Sequence, residues 1–183
     1  INICLTGGRF GYLFLKKLEE NKRDIKQWQI FQTDERILCK DDDLIQKKII
    51  YSLSKCEGFE HKNLNLFSYG SDYKKALNAL SIKVSSLPSS VFDLTFLSLG
   101  EDGHIAGHFE NSTLEDIFCF TDNAPKIPKN RISFSVKWLT KSKKLVLVSI
   151  GKEKKDELNK LINGQGLHSC ILENQNLTII TDS

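Results

Sequence analysis

Apolar residues along this chain keep two rhythms that alternate with one another. Short runs such as Ile1 to Thr6 (INICLT), Leu94 to Leu99 and Leu145 to Ile150 (LVLVSI) are too brief for helices and too apolar to face water. They predict strands buried on both faces of a parallel sheet. Between them apolar positions recur at helical spacing: Tyr12, Leu13, Phe14, Leu15 and Leu18; Leu44, Ile45, Ile49 and Leu53; Ala76, Leu77, Leu80 and Val84; Leu158, Leu161 and Ile162. Asp41 to Asp43 and Ser71 stand where N-caps belong, Pro88 where the third helix must stop, and Gly164 where the last should end. Gln27 to Thr33 and Leu177 to Thr181 read as further strands, and Arg131 to Val136 (RISFSV) alternates as a strand does. Residues 54 to 70 read as a loop with a brief strand near Leu64, Leu66 and Phe67. A short helix is expected near Leu114 to Phe118. The next stretch, TDNAPKIPKNR, is kept irregular by Pro125 and Pro128 and reads as an ordered loop or lid. Strands alternating with helices predict an α/β fold, a single domain over residues 1 to 183 with a doubly wound, mostly parallel sheet and helices on both faces.

Composition narrows the function classes. With 183 residues, 40% hydrophobic and 27% charged, the chain can build one substantial core. A net charge of +3 without a basic run paired to aromatics argues against nucleic acid or a membrane surface as partner. No apolar run approaches a membrane span, and the N-terminus lacks a signal-peptide pattern, so a cytoplasmic location is expected. The five cysteines, Cys4, Cys39, Cys56, Cys119 and Cys170, are odd in number and form no CxxC pair, which predicts buried thiols rather than disulfides or a zinc ribbon. The chain lacks methionine and begins inside an apparent strand, so a preceding segment is expected to have been removed.

The candidate chemistry lies where predicted strands end. Gly7 and Gly8 follow the first strand and open a helix, whose N–H groups and dipole favour a phosphate or carboxylate. Asp34, Glu35 and Arg36 follow the second strand. Gly100, Glu101, Asp102, Gly103 and His104 follow the central one, at the strand ends where open α/β sheets bind ligands. His104 and His108, four apart, raise the question of a metal pair, but no HExxH pattern or third ligand accompanies them and no metal is expected. His61 and His168 lie in polar stretches and are expected to be solvated. No GxSxG elbow marks a serine hydrolase.

Thr6-Gly7-Gly8, Asp34-Glu35-Arg36, Leu99-Gly100-Glu101-Asp102-Gly103-His104, Arg131-Ile132-Ser133-Phe134 and Gly151-Lys152-Glu153-Lys154 occur in an order that resembles the 6-phosphogluconolactonases, relatives of the glucosamine-6-phosphate deaminases. The resemblance covers nearly the whole chain. It implies a Rossmann-like fold, N-terminally shortened by roughly thirty residues, and metal-free hydrolysis of 6-phospho-D-glucono-1,5-lactone in the oxidative pentose phosphate pathway. It makes His104 the general base, Asp102 its orienting partner and Arg36 an oxyanion donor. Thr6, Gly7, Gly8, Arg9, Asp34, Gly103, Arg131 and Lys154 become substrate and phosphate contacts. No cofactor is implied, and the partner is a small sugar phosphate bound by a monomer or weak homodimer. Arg9, Phe10 and Gly11 replace the family's usual serine, threonine and proline, while DGHIA is similar to the deaminase form of the turn. A deaminase-isomerase and a non-catalytic sugar-phosphate binder therefore stay open as alternatives.

Overall fold

The computed structural model describes residues 1–37, 44–67, 73–87, 91–110, 112–114 and 116–182. In chain order its elements are β1 (Asn2–Leu5), α1 (Gly8–Glu20), β2 (Gln29–Gln32), β3 (Asp34–Arg36), α2 (Ile45–Leu53), β4 (Leu64–Asn65), α3 (Tyr73–Ser85), β5 (Leu94–Ser98), β6 (Thr113–Leu114), β7 (Phe118–Thr121), β8 (Arg131–Phe134), α4 (Val136–Thr140), β9 (Lys144–Ser149), α5 (Lys155–Ile162) and β10 (Leu177–Thr181). Six strands make a wholly parallel sheet in the order β10-β9-β5-β1-β2-β4.

Side chains alternate across this sheet and so divide the core in two. Ile3, Leu5 and Ile30 face α1 and α2, where they meet Leu15, Leu18, Ile49 and Leu53. Cys4, Phe31 and Leu97 face the other way, into a larger cluster with Phe92, Phe134, Leu139 and Leu147. Each fully buried aliphatic or aromatic side chain there contributes about 1.5–3 kcal/mol. The expected burial of β5 on both faces holds only in part. Thr95 and Leu97 are buried, whereas Leu94 and Phe96 are half-buried. The Phe96 ring is covered by Phe14 of α1, with centroids 4.5 Å apart.

The mostly parallel α/β architecture is the one expected, but a second, antiparallel sheet, β3-β8-β7-β6, lies beside the first. Three readings change there. Asp34–Arg36, expected only as a charged triplet after the second strand, is itself strand β3. RISFSV supplies β8 to the small sheet, every residue of it buried, and then turns into α4 at Val136. The helix expected near Leu114 to Phe118 is replaced by β6 and β7, because Phe118 pairs across to Phe134, ring centroids 5.2 Å apart, within an aromatic cluster that local spacing does not reveal. Asp41 to Asp43, Ser71, Pro88 and Cys39 lie outside the described residues. Cys4, Cys56 and Cys119 are buried thiols as expected, and Cys170 is half-buried.

Candidate active site

From β1 the chain moves outward to β2 and β4, then returns to the other side of β1 as β5 and continues to β9 and β10. The order therefore reverses between β1 and β5, and a crevice opens at their C-terminal ends. There β1 runs into Thr6-Gly7-Gly8, β5 runs into Leu99 to Phe109, and β9 leads to the single turn Lys152–Lys154. Between these segments lies a cavity of about 470 Å³. Thr6, Gly7, Gly8, Arg9, Asp34, Arg36, Asp102, His104, Arg131 and Lys154 all line it, which brings together residues spread over most of the chain.

Gly103 does not line it. This residue sits behind the turn at φ 79°, where a Cβ would come within 2.7 Å of Glu157 Oε2 on α5. Its backbone shapes the turn and lets α5 approach. The turn is closed by Gly100 N–H donating to the His104 carbonyl at 2.8 Å and Gly103 N–H donating to the Gly100 carbonyl at 3.2 Å. A side chain at Gly100 would collide with the His104 imidazole. His104 is thereby held between Asp102, whose Oδ1 meets its Nδ1, and the ring of Phe109, stacked at 4.5 Å and 28°.

Burial pushes the Asp102 carboxyl upward, but the hydrogen bond and charge of His104 outweigh it and leave the pKa below the usual carboxylate range. An ionised carboxylate only accepts hydrogen bonds, so in this pair Nδ1–H is the donor and Asp102 Oδ1 the acceptor. Asp34 is shifted the other way. Burial raises its pKa despite a 2.7 Å hydrogen bond from Thr33 Oγ1 and the charges of His104, Arg131 and Arg36.

The strand character of the DER triplet divides its labour. Asp34 and Arg36 face the cavity, while Glu35 points away and is wholly buried. Its carboxylate accepts from Ile45 N–H and Gln46 N–H, both at 2.8 Å, from Arg36 N–H at 2.7 Å and from Gln32 Nε2 at 3.0 Å. Helix α2 has no side-chain hydrogen bond from its own N-cap, Leu44, so Glu35 caps it from another strand. Burial nonetheless keeps the Glu35 pKa above the ordinary value against these four donors. Reading the triplet with a period of two would have separated Glu35 from its neighbours.

Arg131 lines the cavity but spends donors on the proline loop. Nη1 donates to the carbonyls of Pro128 and Asn130, and Nη2 donates to the Lys126 carbonyl at 3.2 Å. That loop brings Pro125 and Lys126 to the cavity wall, two contributors that sequence reasoning missed. Lys154 is half-buried, which lowers its pKa against the opposing pull of Glu153 and Glu101. His168 corrects another expectation. Far from solvated, it is 2% exposed, its Nε2 hydrogen-bonds the His108 carbonyl at 3.0 Å, and the two rings lie 4.5 Å apart. Burial, then the His108 charge, pulls its pKa down to about 4. Among the described residues no group of three His, Cys, Asp or Glu side chains has the geometry of a metal site, and no helix is long and apolar enough to cross a membrane.

With this geometry in view, a protein-family comparison is decisive. Residues 1–176 match the family described as glucosamine-6-phosphate isomerases/6-phosphogluconolactonase. The chain belongs to this family. Among relatives within and beside it, a probable 6-phosphogluconolactonase of Schizosaccharomyces pombe is 28% identical over 200 residues, covering 96% of this chain and 77% of that protein. The 6-phosphogluconolactonase of Borreliella burgdorferi is 29% identical over 205 residues, covering 100% and 83%. The crystal structure of 6-phosphogluconolactonase from Thermotoga maritima superposes with a TM-score of 0.86 at 24% identity, over 99% of this chain and 84% of that one, and so shares the fold. In the glucosamine-6-phosphate isomerase/6-phosphogluconolactonase family, then, this chain pairs a rigid histidine turn with an arginine-bearing strand β3.

Proposed function

We propose that this protein hydrolyses 6-phospho-D-glucono-1,5-lactone to 6-phosphogluconate, with His104 as general base. The observation that carries the reading is the Asp102–His104 pair, fixed on a glycine turn at the wall of a cavity rich in cations. Family membership and the names of the relatives supply the substrate. In this mechanism Asp102 holds Nδ1 protonated, and Nε2 takes a proton from water as its oxygen attacks the lactone carbonyl carbon. Negative charge gathers on the carbonyl oxygen, where Arg36, which lines the cavity, is the donor this reading assigns. Collapse breaks the bond between that carbon and the ring oxygen, and the imidazolium returns its proton to the departing alkoxide. Water is consumed and no net proton is taken up before the new carboxyl ionises.

The phosphate end falls to Gly7, Gly8, Arg9 and Lys154, which combine helix N–H groups with positive charge. Arg131 contributes charge and holds the loop. General-base assistance is worth about 10²- to 10⁴-fold, roughly 3–5 kcal/mol of barrier. The deciding experiment is the rate of lactone disappearance above spontaneous hydrolysis, followed by NMR for the natural chain and His104→Ala. Acceleration by the natural chain that drops about 10²- to 10⁴-fold in the variant is expected. Equal acceleration by both would remove His104 from the mechanism.

One observation favours a second reading. The buried Asp34 carboxyl, with its raised pKa and its electrostatic coupling to His104, has the character of a proton acceptor for sugar isomerisation. Ammonium release from glucosamine 6-phosphate, assayed in parallel, tests the deaminase alternative. Phosphosugar binding without turnover of either compound would leave a binding protein.

A further inference from the structure

The mouth of the cavity carries charges that the proposed hydrolysis leaves unused. Lys126, on the loop anchored by Arg131, and Glu101, on the catalytic turn, stand on facing rims with Nζ 3.8 Å from Oε1. Both line the cavity, and both side chains are largely exposed, at 81% and 58%. Glu101 also bears electrostatically on Lys154, which in turn feels Arg9. Glu101 therefore stands with three cations, Arg9, Lys126 and Lys154, at the entrance to a site for an anion, and shares its pull on Lys154 with Glu153 and Asp182, neither of which lines the cavity.

A pair this long and this exposed adds little to the fold, because water competes for both partners. It can exchange partners at small cost. The Lys126 main chain is fixed by its carbonyl's hydrogen bond from Arg131, so exchange needs only side-chain rotation and no opening of the loop. A phosphate monoester brings close to two negative charges and three acceptor oxygens at neutral pH, more than one carboxylate offers an ammonium group.

We infer that Glu101 is an exchangeable counter-ion, holding Lys126 at the mouth of the empty cavity and yielding it to the phosphate of an incoming sugar phosphate. Lys126 and Glu101 then tune affinity for phosphorylated ligands with opposite sign. Lys126 is a phosphate contact and Glu101 its internal competitor. The inference rests on the reading of this cavity as a sugar-phosphate site, yet it does not require the lactone to be turned over.

The test is calorimetric titration of 6-phosphogluconate into the natural chain, Glu101→Gln and Lys126→Ala, with gluconate as the unphosphorylated control and kcat and KM for the lactone measured in parallel. Glu101→Gln should bind 6-phosphogluconate about two- to fivefold more tightly and Lys126→Ala about two- to fivefold more weakly, as suits a partly exposed charge pair. KM should move with affinity, kcat should move little, and gluconate binding should not respond. Unchanged affinities beside intact lactone hydrolysis would overturn the exchange and leave the lactonase reading standing. Affinities shifted as expected without any hydrolysis would sustain the exchange and remove that reading. If the natural chain fails to bind 6-phosphogluconate, both fall.

Discussion

Asp34 is a carboxyl group kept at a ligand site against its own preference for water. Because folding raises its pKa, the folded chain holds that proton to higher pH than the unfolded chain does. Stability is therefore complete below the ordinary aspartate range, near pH 4, and is lost as pH rises through the folded value. Asp34→Asn should raise Tm at pH 7 by about 2–4 °C, with the gain shrinking toward pH 4, while kcat/KM falls. Thermal scans at the two pH values check this, and an unchanged Tm at pH 7 would mean that the arginine charges cancel the burial. His168 has the opposite sign. Its folded pKa of about 4 lies below the unfolded value of about 6.5, so stability is lost as pH falls through that window, on the order of 3 kcal/mol in all. His168→Gln should flatten the urea midpoint between pH 6.5 and 4. At this scale Asp102, His104 and Arg36 were legible because their types and spacing carry chemistry by themselves. His168 was not, since its burial depends on the carbonyl of a residue 60 positions away.

Elements hold these residues in place, and their capping decides how firmly. Glu35 ties β3 to the start of α2 through two main-chain N–H groups of the helix, and so couples the strand carrying Arg36 to the helix that sets Ile45 beside Gly7. Glu35→Gln replaces a carboxylate by an amide with a single acceptor oxygen and should cost about 1–3 kcal/mol, read as a lower urea midpoint, with kcat/KM falling through misplaced Arg36. Gly100→Ala acts differently. The added methyl meets the His104 ring, so activity should fall about 10²-fold or more while the fold survives as judged by circular dichroism. Strands of the large sheet were legible as apolar runs because both their faces are covered. The small sheet was not. β7 is anchored by Phe118, whose ring meets Phe134 on β8 and Phe67, aromatic partners that no local window contains, and β6 follows by pairing with β7.

At the scale of the whole molecule, five separated segments converge on one crevice because the strand order reverses between β1 and β5. The motifs foretold that convergence in outline, since each followed a strand. The antiparallel sheet that delivers β3 and the proline loop was beyond them, its pairings being long-range. A chain whose net charge is only +3 nevertheless gathers Arg9, Arg36, Lys126, Arg131 and Lys154 around one opening. Such a local field speeds the approach of anions and is screened by salt. kcat/KM for the lactone should accordingly fall severalfold between about 0.05 and 0.5 M salt, mainly through KM, whereas a salt-independent value would place the field's influence elsewhere. The grip of Arg131 on the carbonyls of Lys126, Pro128 and Asn130 bears on how such a site can change over generations. Every amino acid presents the same carbonyl, so this anchor is indifferent to the side chains it restrains. Substitutions at positions 126, 127 and 129 can vary what the loop offers a ligand while its path stays as it is. The fold thus keeps one stretch of its active-site wall open to inherited variation, and with it a route to new anionic sugars.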